Sequence, residues 1–159
     1  VLDGGETQQD LERLGNDIFN FFGLSRRNVS KLYLPNTFDE KRILDAVEKY
    51  NSVSLHYKYM NNYEYNKSIY LVARQTHLDN GFLILKEDTN ELKSPLAVVY
   101  YEKYSDLSQV QNAIEKHKDE IQYIICKSTA FRTKTVQFGE SFVPRIEENI
   151  ETLNFLISL

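Results

Sequence analysis

Short apolar runs alternate with amphipathic stretches along this sequence, and that alternation most narrows the folds open to it. Leu11, Leu14, Ile18 and Phe22 recur at steps of three, four and four, the repeat of one helix face. Thr7 ahead of them can cap such a helix, with Asp10 as the acidic partner of a capping box and Gly23 as its end. Ser30 to Leu34, closed by Pro35, reads as a strand, and Asp39 to Tyr50 as a second helix with Ile43, Leu44 and Val47 inward. The Tyr-rich segment from Ser54 to Gln75 sets Leu55, Tyr59, Tyr63, Tyr70 and Ala73 near one face, again at helical spacing. Gly81 to Leu85 and Leu96 to Tyr101 read as strands on either side of the polar turn Glu87 to Ser94. Ser105 caps a helix over Asp106 to Lys118 with Leu107, Val110 and Ile114 as its stripe, and Ile121 to Cys126 is a further strand. A loop begins at Phe138-Gly139, and Glu148 to Leu159 reads as helix. Strands alternating with amphipathic helices predict an α/β domain whose largely parallel sheet is flanked by helices. The strands named here from Ser30 to Cys126 are expected in one sheet.

With 159 residues, of which 42% are apolar and 26% charged, the chain can bury a core as one domain. It contains no internal repeat and no linker-like tract at which to divide it. No apolar run approaches the length of a membrane span. The lone Cys126 fits a reducing, cytoplasmic setting, and a net charge of -4 argues against a nucleic-acid partner. Val1-Leu2, followed at once by Asp3-Gly4-Gly5, reads as the end of a buried strand, so further sequence is expected ahead of it. Apolar surface is then expected around Val1, Leu2 and the turn at Gly23.

Local chemistry is sparse. His56, His77 and His117 show no metal-ligand spacing, and no metal site is expected. Neither a Gly-rich phosphate loop nor the G-x-S-x-G elbow of serine hydrolases occurs. Ser25 sits in a turn after a helix but has no base that the sequence can nominate. Cys126 beside Lys127 could be an activated thiol, or a core residue ending an apolar strand. The tyrosines between Tyr50 and Tyr70 could stack a ligand, although their helical spacing favours a packing surface.

Longer blocks carry more. The segment Ile18 to Pro35, together with Met60 to Lys67, Leu78 to Asp88 and Ser94 to Glu102, resembles the bacterial acyl-CoA reductases of the aldehyde dehydrogenase superfamily, which include the bioluminescence-type fatty acid reductases. The resemblance covers nearly the whole chain and is weakest between Thr129 and Val136. It implies an aldehyde dehydrogenase catalytic-domain-like fold and a two-domain parent enzyme. In that parent, a catalytic cysteine takes the acyl group from acyl-CoA as a thioester, and NAD(P)H reduces it to the aldehyde. This chain resembles the catalytic C-terminal half, so the nucleotide-binding domain would be a partner and no cofactor is expected on this chain alone.

The family's catalytic turn reads G-x-x-C-R-N, where this sequence has Gly23-Leu24-Ser25-Arg26-Arg27-Asn28. The resemblance therefore puts Arg26 at the nucleophile's position, with Ser25 and Asn28 in the same turn. A guanidinium is always protonated and cannot attack a thioester. Glu91-Leu92-Lys93-Ser94-Pro95 is similar to the superfamily's E-x-F-G-P motif, whose glutamate holds the cofactor ribose; a solvated hairpin turn is the other reading of Glu91. Gln137-Phe138-Gly139 is similar to the P-F-G stretch that lines the family's active site and implies a cofactor-side role for Phe138 and Gly139, against an ordinary Gly turn. The resemblance thus leads to a reductase fragment, inactive alone. The alternative is a catalytically dead module that binds an anion or acyl group through Arg26, or that forms a homo-oligomer.

Overall fold

Leu32 and Leu34 are buried in the larger of two apolar cores, whereas Tyr33 between them belongs to the smaller one. Successive side chains of a strand face opposite ways, so β1 (Lys31–Pro35) divides the interior. The computed structural model in which this is seen describes residues 1–127, 131, 135–143 and 157. On the Leu32 side lie α1 (Gln8–Phe19), α2 (Lys41–Ala46) and α3 (Tyr57–Val72), which contribute Leu11, Leu14, Ile43, Leu44, Tyr59 and Tyr63. Beyond β1, α4 (Leu107–Lys116) packs Val110 and Ile114 with Tyr33 and Cys126. The expected α/β arrangement, a mostly parallel sheet with helices on both faces, is therefore present.

The sheet is ordered β1-β4-β3-β2. Here β2 is Leu78–Asp79, β3 is Ile84–Glu87 and β4 is Val98–Tyr104. β4 runs parallel to both neighbours, with Lys31 opposite Tyr100 on one side and Ile84 opposite Val98 on the other. β2 is antiparallel to β3. Because β3 and β4 are parallel, Glu87 to Ser94 is no hairpin; Asp88 to Ala97 carries the chain back to the start of the sheet.

The last strand does not join this sheet. Only Ile124–Ile125 of the expected Ile121 to Cys126 run is extended and paired, as β5, and its parallel partner is β6 (Thr135–Val136) in a separate two-stranded sheet. The free edge of β1 is already occupied: Leu2 N–H donates to the Tyr33 carbonyl at 3.0 Å, and the Val1 nitrogen donates to the Ile125 carbonyl at 2.7 Å. Val1-Leu2 thus lies between the two sheets. Leu2 is fully buried, contrary to the expected exposure, while Phe21, Phe22 and Leu24 around the Gly23 turn are exposed.

Helix ends differ in instructive ways. Thr7 and Asp10 form the expected capping box. The helix stops at Phe19, however, and a 3-10 turn over Asn20–Gly23 follows, with Phe21 and Phe22 at φ 52° and 55° before Gly23 at 72°. α4 is capped by Asp106, which accepts from Ser108 N–H, and not by Ser105. On α3 the buried stripe is Tyr59, Tyr63, Asn66 and Tyr70, while Leu55 lies in a preceding 3-10 segment and is exposed. The expected helix over Glu148 to Leu159 lies outside the described residues except Ile157, which is helical.

Candidate active site

The end of α1 has no basic residue in its last turn, and its terminal carbonyls need donors from elsewhere. Asn28 supplies them. Its Nδ2 lies 3.1, 3.1 and 3.0 Å from the carbonyl oxygens of Asp17, Ile18 and Asn20, and its Oδ1 accepts from Ser25 N–H at 2.8 Å. Those carbonyls are consequently lost to further helix, which explains the early stop at Phe19. The chain then reverses through left-handed residues, a costly conformation for phenylalanine that persists only where surrounding contacts impose it. Phe21 meets the Phe142 ring at 5.2 Å and Phe22 stacks on His56 at 4.1 Å.

This turn forms one wall of a cavity of about 910 Å³. Ser25, Arg26 and Asn28 line it, as do Glu91 and Phe138, so stretches widely separated in sequence border one cavity. Gly139 does not line it; it stands behind Phe138 at φ 85° and donates its N–H to buried Asp17 at 2.6 Å. Leu24, Val29, Leu92 and Leu96 give the cavity its accessible apolar surface over buried Leu14, Ile18, Leu83 and Val98, while Arg26, Glu91 and Lys93 sit exposed on it. A concave apolar site with a few polar groups at its margin suits an organic ligand of moderate size. Tyr59 also lines it, but its hydroxyl is shut off from solvent and has no partner among the described residues, and burial pushes that group well above the ordinary phenol range.

Within the turn the donors are nearly all spent. Ser25 N–H goes to Asn28, Arg27 N–H to Ser25 Oγ at 3.3 Å, and Asn28 N–H to the Ser25 carbonyl at 3.1 Å. Among the described residues the main-chain N–H of residue 26 has no acceptor. Ser25 Oγ accepts from Arg27 N–H and meets no histidine or carboxylate among the described residues. Arg27 lies over the Tyr123 ring at 5.5 Å, whereas Arg26 points to solvent.

The opposite wall is held by residues that sequence reasoning missed. Buried Asn66 of α3 donates to the Leu96 carbonyl at 2.9 Å, just before Ala97 at φ 64°. Asp88 accepts from Asn90 N–H at 3.0 Å and from Glu91 N–H at 2.9 Å through Oδ1, and from Lys86 Nζ at 2.9 Å through Oδ2. Lys86 is itself held between the Tyr70 and Tyr100 rings. Thus Glu91 stands, exposed, on a braced turn that lines the cavity.

Desolvation, the largest influence on Asp88, raises its pKa, but the Glu91 N–H, the Lys86 ammonium and the Asn90 N–H together bring it from 3.8 down to about 2. A carboxyl depressed by folding stabilises the folded state above its unfolded value, and that contribution is lost as pH falls. Acid titration of stability should therefore show a loss between 3.8 and about 2 that Asp88→Asn reduces. Identical slopes in the two proteins across that window would remove Asp88 as the brace.

Cys126 is buried in the smaller core and does not itself line this cavity. His56 caps α3, accepting from Tyr59 N–H, His77 is tied to the Gln75 carbonyl, and His117 pairs with Glu120 near the end of α4. No cluster of metal-binding side chains forms among the described residues, and among them no helix is long and apolar enough to cross a membrane. In comparisons with known proteins, no protein-family model and no curated protein matches the chain.

Proposed function

We propose that these residues are the catalytic half of an NAD(P)H-dependent acyl-CoA reductase, of aldehyde dehydrogenase catalytic-domain-like fold, and that Arg26 leaves this chain without turnover of its own. The observation that carries the reading is convergence. The turn from Gly23 to Asn28, the stretch from Glu91 to Leu96, and Phe138 each resemble a separate family motif, and all line one cavity. Nothing in the hydropathy pattern of the chain requires those segments to border the same cavity.

In this reading the acyl chain lies along the accessible apolar lining, Leu24, Val29, Leu92 and Leu96, with its thioester at the turn. The N–H of residue 26 donates to the carbonyl oxygen as negative charge grows there. NAD(P)H, when bound, supplies the hydride for reduction. The residues present fit its ribose end, since the exposed Glu91 carboxylate is suited to accept from adjacent sugar hydroxyls. The rest of its pocket is assigned to the nucleotide-binding domain of the parent.

Calorimetric titration tests the reading. A long-chain acyl-CoA should bind the chain more tightly than coenzyme A alone, and Arg26→Ala should leave that preference for the acyl chain in place. No binding of acyl-CoA would overturn the proposal. The second reading, an anion-binding module, is favoured by the exposed guanidinium of Arg26 on the cavity wall. It requires that coenzyme A and free fatty acid bind equally well and that Arg26→Ala abolish both.

A further inference from the structure

The catalytic-type turn and the loop carrying Phe138 come from opposite ends of the chain, yet both hang on Asp17. Its main-chain carbonyl accepts from Asn28 Nδ2 at 3.1 Å and from Val29 N–H at 3.0 Å. Its carboxylate accepts from Gly139 N–H at 2.6 Å, Ser141 N–H at 3.1 Å and Ser141 Oγ at 2.6 Å. We propose that Asp17 is the positioning residue of the acyl-transfer site, through which the Phe138 wall fixes the geometry of the turn at position 26. The inference rests on the proposed function for its purpose, though its geometry stands apart from it.

Burying a carboxylate is costly, and an apolar residue would pack the same place without that cost. Asp17 is fully buried, and no lysine or arginine pairs with it among the described residues. What it provides in return is direction, because hydrogen bonds to an ionised acceptor are short and strong. The loop is shaped to deliver its donors: Gly139 lies so close to α1 that a Cβ there would approach Arg13 Cβ to 3.2 Å. An unbroken series of bonds then runs from Ser141 Oγ through Asp17 and the Asn28 side chain to Ser25 N–H. Ser141 is thus linked to residue 25 by way of two side chains.

The test perturbs the loop and reads the turn. Ser141→Ala removes one donor to Asp17, and Asp17→Asn weakens the whole clasp. Amide NMR signals of Ser25, Asn28 and Val29 should shift in Ser141→Ala. In an Arg26→Cys background, iodoacetamide should alkylate the introduced thiol at a rate changed about threefold or more by Ser141→Ala, as expected for coupling through a packed network. Asp17→Asn should change that rate further in the same direction. Shifts confined to residues 138–142, with an unaltered alkylation rate, would overturn the proposal. If Asp17→Asn fails to fold, Ser141→Ala decides alone. Neither readout uses acyl-CoA, so loss of acyl-CoA binding would sink the proposed function while leaving this positioning role measurable.

Discussion

Arg26→Cys is expected to take the acyl group from long-chain acyl-CoA, and the Arg26 chain is expected not to. The thiolate attacks the thioester carbonyl, a new carbon–sulfur bond forms, and the bond to coenzyme A breaks to release its thiolate. No oxidant or reductant is consumed, so this half-reaction needs only the turn. The Ser25 and Asn28 bonds fix the backbone there, and the N–H at position 26 remains to stabilise the oxyanion. Losing a nucleophile that works within a catalytic unit costs on the order of 10⁶ in turnover in a serine protease, and the Arg26 protein should sit on that floor. Intact mass and free coenzyme A, followed for both proteins, give the answer. The expected result is a slow acyl adduct on the variant and none on the Arg26 chain. Acylation of Ser25 or Cys126 in the Arg26 chain would show that the nucleophile is misplaced. The structure argues against both: Ser25 Oγ meets no histidine or carboxylate among the described residues, and Cys126 is buried.

What the sequence revealed of the fold follows a simple division. Patterns that depend on neighbours in the chain were legible: the Thr7–Asp10 capping box, the α1 stripe, and the parallel-sheet strands around Leu32, Ile84 and Val99. Where a residue far along the chain competes for a backbone group, local pattern fails. Asn28 takes the carbonyls that would have extended α1 to Phe22. Leu2 takes the edge of β1 that Ile121 to Cys126 was expected to join. Leu55 fits the apolar period of α3, but a 3-10 segment places it outside the helix and in solvent.

The site divides in the same way. The resemblance singles out Ser25, Arg26, Asn28, Glu91, Phe138 and Gly139, and all but Gly139 line one cavity. Asp17, Asn66 and Asp88 were not visible, because each is a polar residue whose partners are main-chain groups distant in sequence or hidden in a turn. One faint signal existed: Asp17 falls directly before Ile18 in an apolar stripe, where a charge is out of place unless it meets donors. The glycines gave a second signal. Gly15 lies where a Cβ would come within 2.2 Å of the Tyr50 ring, and Tyr50 in turn donates to the Glu12 carbonyl and Asn16 Oδ1. α1 is therefore clamped from both sides, by Tyr50 on one and by the Gly139 loop on the other.

That clamping makes Asn28 the most sensitive position of the turn. Asn28→Ala removes the side-chain acceptor of Ser25 N–H and the donor shared by the Asp17, Ile18 and Asn20 carbonyls. Each net hydrogen bond is worth about 1 kcal/mol, and a carbonyl left partly buried without a donor adds to the loss, so the expected cost is about 3 kcal/mol. For a chain of this size that corresponds to a fall in Tm of roughly 6 to 12 °C. Asn28→Asp separates the two functions of the amide. A carboxylate still accepts from Ser25 N–H, but it cannot donate to the carbonyls, and it sets a negative charge against the negative end of the α1 dipole. Asn28→Asp should therefore be at least as unstable as Asn28→Ala at neutral pH and recover in part as acid protonates the new carboxyl. Thermal melts of the three proteins, followed from neutral to acidic pH, measure this. Equal Tm values for all three would mean that the carbonyls at the end of α1 find other donors, and that Asn28 does not set the turn on which position 26 is displayed.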